Sequence, residues 1–261
     1  MLIFLGRVAN LGVADFWQSE RDTVKTIGLL GGMSWESTAV YYRRINENIR
    51  DRFGGLHSAE VLLRSVNFDT IVALQQSNAW DQAGAILASL AKDLERAGAD
   101  CIVICTNTMH KLADIVQERI SIPLLHITDV TGQALRAAGA RKPLLLATRY
   151  TMEQDFYLAQ LRDKHKLSPM VPDAEDRTAV HDIIFSELCC GVVRDESRQR
   201  YLDVVAKAKT AGADSVILGC TEIGLLIGPN DLNLPTFDST LLHADAAVAF
   251  ALDEPRSRHV A

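Results

Sequence analysis

The sequence lacks the excess of basic side chains that nucleic-acid binding requires. Its 261 residues include 27 Lys and Arg against 33 Asp and Glu, which gives a formal net charge of −6 at pH 7. Because proteins bind nucleic acid by neutralising phosphates with clustered basic residues, this balance argues against a nucleic-acid partner. The apolar fraction of 48% is high enough to form a core and argues against a disordered chain.

Cysteines are few and do not follow the spacing of disulfide-rich or zinc-binding proteins. No CxxC pair and no His/Cys cluster with zinc spacing is present, and the count is odd. We therefore expect no disulfide scaffold and no metal, and a reducing cytoplasm is the natural location. The five are Cys101, Cys105, Cys189, Cys190 and Cys220.

The start of the chain has no long hydrophobic run. Residues 1–23 open with an apolar stretch that Arg7 interrupts, and no small-residue cleavage site follows it. The stretch is too short for a membrane helix, so we expect neither a signal peptide nor a membrane partner. We interpret residues 1–23 as an extension outside the fold, with the natural protein starting at Val24, and residues 254–261 as a tail.

Apolar runs of strand length alternate with longer amphipathic runs from residue 25 onward. Runs that are apolar almost throughout are typical of parallel strands covered on both faces by helices, so the pattern predicts an α/β fold. The predicted helices are Ser37–Arg50, Trp80–Ala97, Val180–Leu188 and Arg198–Thr210. The predicted strands are Thr26–Leu30, Glu60–Ser65, Cys101–Cys105, Pro123–Ile127, Pro143–Ala147, Ser215–Gly219 and Pro235–Asp238.

An internal repeat divides the chain into two halves. Ala97–Thr108 matches Ala211–Glu222 at a constant separation of 114 residues; each reads Ala-Gly-Ala-Asp, an apolar strand and a small polar triplet. A weaker match sets residues 28–32 against 144–148. We expect two pseudo-twofold-related α/β domains, each a parallel sheet flanked by helices. The predicted first domain is 24–121 plus 232–253, and the second is 122–231.

The two polar triplets follow equivalent strands. In parallel sheets ligands bind outside the carboxyl ends of the strands, so Thr106 and Cys220 are expected to face one interdomain cleft from opposite sides. Two proton-transfer groups on opposite faces of one carbon can invert it. The pair is unequal, because a thiol ionises far more readily than a threonine hydroxyl. A helix predicted to open at Thr221 would lower the pKa of the Cys220 thiol.

Three motifs resemble those of the aspartate/glutamate racemase superfamily. They are GGM at Gly31–Met33, TNTMH at Thr106–His110 and GCTE at Gly219–Glu222, and the resemblance extends over nearly all of residues 25–253. It implies two α/β domains with the active site between them, no cofactor or metal, a small-molecule amino-acid substrate and a homodimer. It also implies two cysteines acting as thiolate base and thiol acid on opposite faces of the α-carbon.

One of these two cysteines is replaced here. Thr106 stands in its place, and Cys105, one residue earlier on a strand, is expected to face the other side of the sheet. With Cys220 as base and Thr106 as acid, directly or through water, the resemblance implies racemisation of L-aspartate or L-glutamate with preference for the L-enantiomer. The expected substrate-binding residues are Met33, Ser34, Gln75, Asn107, Thr108, Thr148, Thr151, Thr221 and Glu222.

The sequence leaves open what holds the substrate side chain. Relatives that bind a side-chain carboxylate use a Lys or Arg, whereas this chain offers Arg177, His181, Asn67 and Gln75. Three other functions fit the same residues. They are a one-cysteine decarboxylase, a hydantoin racemase and a catalytically weak amino-acid-binding protein.

Overall fold

The computed structural model describes residues 24–253, where the chain forms seven strands in two parallel sheets. The predictions for residues 1–23 and 254–261 concern segments outside the described residues. The strands are β1 (Ile27–Gly31), β2 (Val61–Ser65), β3 (Cys101–Ile104), β4 (Leu124–Leu125), β5 (Pro143–Leu146), β6 (Ser215–Leu218) and β7 (Thr236–Asp238). Their orders are β2-β1-β3-β4 and β5-β6-β7. The predicted α/β class and all seven predicted strands are confirmed.

Helices connect the strands, and the four predicted ones are present. Between residues 24 and 253, no helix is long and apolar enough to cross a membrane. The helices are α1 (Trp35–Phe53), α2 (Phe68–Gln76), α3 (Trp80–Arg96), α4 (Ala113–Arg119), α5 (Ile127–Ala137), α6 (Arg149–Glu153), α7 (Asp155–Ala159), α8 (Ala174–Ser186), α9 (Asp195–Thr210), α10 (Ile223–Leu226) and α11 (Ser239–Ala251). A 3₁₀ turn, Thr108–Leu112, precedes α4.

The central strands of the first sheet, β1 and β3, are buried on both faces, as their apolar sequences require. Alternate residues of a strand point to opposite faces, and Leu29 and Val103 pack against α1 and α11 while Leu30 and Ile102 pack against α3. Cys105 continues the face of Val103 and is completely buried in the same cluster. It faces the core rather than the strand ends, as predicted.

The internal repeat reappears as identical strand register. Ile27 lies opposite Cys101 at the start of the β1–β3 pair, and Pro143 lies opposite Ser215 at the start of the β5–β6 pair. Met170 bridges to β5 on its outer side, where β2 lies beside β1. The predicted pair of pseudosymmetric α/β units is therefore confirmed.

The repeated Ala-Gly-Ala-Asp segments have the same structural role in both halves. Asp100 Oδ2 accepts the backbone N–H of Thr26 at 2.7 Å, and Asp214 Oδ2 accepts that of Lys142 at 2.9 Å. The preceding glycines have φ values of +102° and +99°, a conformation that favours glycine at the end of a helix. These segments therefore fix the start of β3 and β6. They lie at the opposite ends of these strands from the polar triplets.

The predicted domain boundaries place two strands, β4 and β7, in the wrong half of the chain. β4 lies beyond the predicted boundary at residue 122 but pairs with β3, and β7 lies beyond residue 232 but pairs with β6. Each sheet completes its last strand before the chain crosses to the other half. The final helix does return to the first half, since Ala244 and Val248 of α11 pack in the cluster that covers β1 and β3.

Three histidines contact one another beneath the first sheet's carboxyl edge. The ring centroids of His110 and His126 are 4.8 Å apart, and those of His110 and His243 are 5.4 Å apart. His243 accepts the Tyr41 hydroxyl at Nδ1 and donates from Nε2 to the Leu125 carbonyl. Burial lowers the pKa of His243 to about 3 and holds that of His110 well below its ordinary value. The cluster is therefore neutral in the folded protein.

Because this cluster is neutral in the folded protein, we expect the free energy of unfolding to fall in mild acid. Because the folded pKa of His243 is depressed, its contribution is complete above pH 6.5 and falls as the pH drops toward 3. Between pH 7 and pH 4.5 the loss from this ring is about 2–3 kcal/mol in the free energy of unfolding. Urea unfolding across this range should show a shallower pH dependence for His243→Gln than for His57→Gln, which changes an exposed histidine. Equal slopes in the two variants would contradict the assignment.

Candidate active site

The two polar triplets line one cleft between the sheets. Thr106 follows β3, Cys220 follows β6, and both are half-buried while the neighbouring Thr108 and Glu222 are buried. The cleft is lined by Met33, Phe68, Gln75, Thr106, Asn107, Thr108, Met109, Thr148, Ile184, Phe185, Cys189, Gly219, Cys220, Thr221 and Glu222. The repeat thus brings its two chemically unequal positions to the same space.

A tight turn after β1 brings Met33 and Ser34 to this region. Gly32 has a φ of +85°, and a Cβ there would lie 2.3 Å from the Val66 carbonyl oxygen. Its N–H donates to Thr38 Oγ1 at 2.8 Å, so the glycine pair serves as a turn. Ser34 then caps α1 through its side chain and is itself buried.

Glu222 joins the Cys220 thiol to the first half of the chain. Cys220 Sγ donates to Glu222 Oε2 at 3.0 Å, and Ser34 Oγ donates to Oε1 at 2.6 Å. The hydroxyl of Ser34 therefore lies behind Glu222, and Ser34 is not among the residues lining the cleft. In this arrangement Ser34 holds the carboxylate, and the carboxylate holds the thiol.

The environment of Cys220 disfavours a resting thiolate. Burial raises the pKa of the thiol well above its ordinary value, and the charge of Glu222 and the neighbouring Cys189 raise it further. The expectation that a helix N-terminus lowers this pKa is wrong, because α10 has only four residues and starts at Ile223, and the nearest charge is negative. The thiol is protonated and points its proton at a carboxylate.

In the first half, the positions equivalent to Cys220 and Glu222 carry hydroxyl groups. Thr108 occupies the repeat position of Glu222, and its Oγ1 lies 3.0 Å from that of Thr148 and 3.1 Å from that of Thr151. Thr151 is completely buried behind this pair and is not among the cleft-lining residues. Hydroxyls donate and accept hydrogen bonds but do not ionise near neutral pH. One side of the cleft can therefore store a proton, and the other can only relay one.

The remaining predicted residues lie at the floor and wall of the cleft. Asn107 Nδ2 donates to Ser239 Oγ at 3.0 Å, whereas its buried Oδ1 has no hydrogen-bond partner within the described part of the chain. Thr221 Oγ1 lies 2.6 Å from Ser37 Oγ, which ties it to the other half. Gln75 is buried and donates to Met109 Sδ at 3.1 Å. An unpaired buried oxygen in a cleft indicates a place for a ligand donor.

Sequence reasoning missed several cleft residues. Met109 lies within the TNTMH motif itself, so the sequence could have identified it as a cleft residue. The others had no such signal, because which face of a helix meets the cleft depends on how the two halves pack. These residues are Phe68 in α2, Ile184 and Phe185 in α8, and Cys189 just after α8.

No metal centre accompanies the cleft. Across residues 24–253, no group of three or more His, Cys, Asp or Glu side chains is arranged to hold a metal ion. His110 and His243 hydrogen-bond to backbone carbonyls instead, and His126 accepts the backbone N–H of Thr128.

Comparison with known proteins gives consistent relatives. The model of the Asp/Glu/Hydantoin racemase family matches residues 30–247. A candidate Asp/Glu racemase from Yersinia pestis is 47% identical, with a TM-score of 0.83 over 87% of this chain and 99% of that one. An aspartate racemase homologue from Pyrococcus horikoshii OT3 is 34% identical, with a TM-score of 0.77 over the same shares. The broad-specificity amino-acid racemase RacX of Bacillus subtilis is 20% identical over 228 residues, 85% of this chain and 96% of RacX.

The contact between Cys220 and Glu222 predicts how the thiol titrates. Glu222→Gln removes a negative charge that raises the thiol pKa, so the thiolate should form at lower pH than in the unmodified protein. The measurement is thiolate absorbance against pH, with the Cys220→Ser spectrum subtracted. Glu118→Gln removes an exposed carboxylate and should leave the curve in place. A Glu222→Gln curve shifted to higher pH would contradict the described contact.

Proposed function

Since this chain belongs to the Asp/Glu/hydantoin racemase family and is an isomerase of the racemase class, we propose that Cys220 and Thr106 invert the α-carbon of its amino-acid substrate. Cys220 removes the α-proton of the L-enantiomer, and Thr106 protonates the opposite face. The observation that carries this proposal is the asymmetry of the cleft. On one side the Cys220 thiol contacts a carboxylate, and the equivalent positions on the other side, Thr106 and Thr108, carry hydroxyls.

In the first step, Cys220 passes its proton to Glu222 Oε2 along the existing hydrogen bond. The thiolate takes the α-proton of the bound L-amino acid, and the electron pair left behind is delocalised into the substrate carboxyl group. The buried Ser34 hydroxyl supports Glu222 in both of its protonation states, because it can rotate to donate or accept. Placing acid and base within reach of the reacting atom is worth typically 10²–10⁴-fold in rate.

In the second step, a proton reaches the other face of the α-carbon from Thr106. A threonine hydroxyl does not remain ionised, so water replaces the proton that it gives, and the proton on Glu222 returns to solvent. The unpaired Oδ1 of Asn107 is positioned to accept from the substrate ammonium group. Aspartate and glutamate are the substrates that the sequence resemblance and the names of several relatives indicate.

The preference for the L-enantiomer has a strict thermodynamic meaning. Two enantiomers are equally stable in solution, so kcat/KM for racemisation must be the same in both directions. The inequality of Cys220 and Thr106 instead appears in α-proton exchange with solvent. Cys220 can remove and return a proton on the L face without any contribution from Thr106. The rate at which solvent protons enter the α-position of the recovered L-amino acid should therefore exceed the rate of racemisation.

Cys220→Ser should abolish this exchange. A serine hydroxyl has no accessible ionised form here, so α-deuterium incorporation into L-amino acids in D₂O should fall on the order of 10²–10⁴-fold. Cys190→Ser changes an exposed cysteine outside the cleft and should retain the full rate. Proton NMR of the α-position follows the reaction without added cofactor. Retained exchange in folded Cys220→Ser would overturn Cys220 as the base.

Thr106→Cys should make the D face reactive. A thiol at this position restores an ionisable group, so α-proton exchange of the D-enantiomer should rise by about tenfold or more. The exchange of the L-enantiomer should change less, because Cys220 and Glu222 are untouched. Thr106→Ser keeps the hydroxyl and serves as the matched control. If D-exchange stays at the level of that control, Thr106 does not set the stereopreference.

A further inference from the structure

Apolar side chains form the walls of the cleft around the proton-transfer pair. The first half contributes residues from the turn after β1, from α2 and from the 3₁₀ turn, and the second half contributes two residues of α8. Since these walls surround the space beside the α-carbon, they set the kind of substrate side chain that is tolerated. They are Met33, Phe68, Met109, Ile184 and Phe185.

Among the residues that the structure describes, the only charge in the cleft lining is negative. Of the described residues that line the cleft, Glu222 alone is charged, and its two oxygens already accept from Cys220 and Ser34. A substrate side-chain carboxylate here would lose its water, find no cation among these lining residues, and approach a like charge. An uncharged side chain carries none of these penalties.

Three basic side chains near the cleft motifs are engaged elsewhere. Arg177 pairs through Nε with Glu153 at 3.0 Å, and the Lys111 ammonium lies 3.9 Å from the ring centroid of Trp80. His181 accepts a backbone N–H at 3.2 Å, and burial lowers its pKa, which favours the neutral ring. None of these three basic side chains is among the cleft-lining residues, so Arg177 and His181, the basic candidates from the sequence, do not line the space where a substrate carboxylate would lie.

Gln75 is the polar exception in this wall. It is buried, and its amide is neutral and able both to donate and to accept. Building on the proposed racemase function, we infer that the preferred substrates are amino acids with uncharged side chains, and that Gln75 faces the side chain of the substrate.

Isosteric substrate pairs test the charge directly. L-Asn and L-Asp have nearly the same shape, as do L-Gln and L-Glu, and each pair differs in one negative charge. The amide member should have a kcat/KM for α-deuterium incorporation about tenfold or more above that of its acid. L-Ala and L-Met complete the panel as uncharged substrates without an amide.

Adding a positive charge at position 75 tests whether Gln75 faces the substrate side chain. Gln75→Lys places an ammonium group in the wall, so the ratio of acid to amide within each pair should rise by about tenfold or more. Gln76→Lys makes the same change at the exposed neighbour and should leave the ratio unaltered. An unchanged ratio in folded Gln75→Lys would remove Gln75 from the side-chain subsite.

The outcomes separate this inference from the proposed function. If L-Asp and L-Glu exchange as fast as their amides or faster, the inference is overturned while the racemase function stands. If none of the six amino acids exchanges with folded protein, the proposed function fails and the inference fails with it. Exchange of each amide about tenfold or more above its acid supports it.

Discussion

The buried carboxylate of Glu222 is the constraint on which the site depends. It must accept from Cys220 on one side and from Ser34 on the other, and these donors come from different halves of the chain. Ser34 in turn caps α1, the helix whose apolar face covers β1 and β3. The position of the Cys220 thiol is therefore fixed by the same turn that starts the first helix. A buried charge of this kind is tolerated only while its hydrogen bonds are made.

The pseudosymmetry explains how the two sides of the cleft can differ in chemistry while their backbones have the same geometry. The Ala-Gly-Ala-Asp segments and strand registers repeat almost residue for residue, so both triplets leave the sheet in the same direction. Chemistry then depends only on which side chains fill the repeated positions. Thr106 and Thr108 on one side, against Cys220 and Glu222 on the other, make two geometrically equivalent sites with different proton affinities. The backbone places one residue on each side of the cleft, and only the cysteine side chain is able to act as a base.

Much of this was accessible from the sequence, for identifiable reasons. Buried parallel strands are apolar throughout, and the repeat marks the strand ends, so the seven strands and the shared cleft followed from pattern alone. Ser34 and Thr151 were placed near the substrate, yet they stand behind Glu222 and Thr108, because a pattern gives sequence position and not depth. The raised pKa of Cys220 was missed for a related reason. It arises from burial and from a carboxylate whose rotamer no spacing reveals.

Family membership constrains the reaction more tightly than the substrate. Thr106 and Cys220 follow β3 and β6, so sheet register fixes the positions of the two residues that we propose transfer protons. The walls beside the α-carbon come instead from α2, α8 and the 3₁₀ turn, whose side chains can change without moving a strand. Chains that share the motifs can therefore keep one reaction and differ in the side chain that they accept. The reaction of a relative can therefore be inferred for this chain from the residues at the strand ends. Its substrate can be inferred only where the residues of the helical wall are also the same.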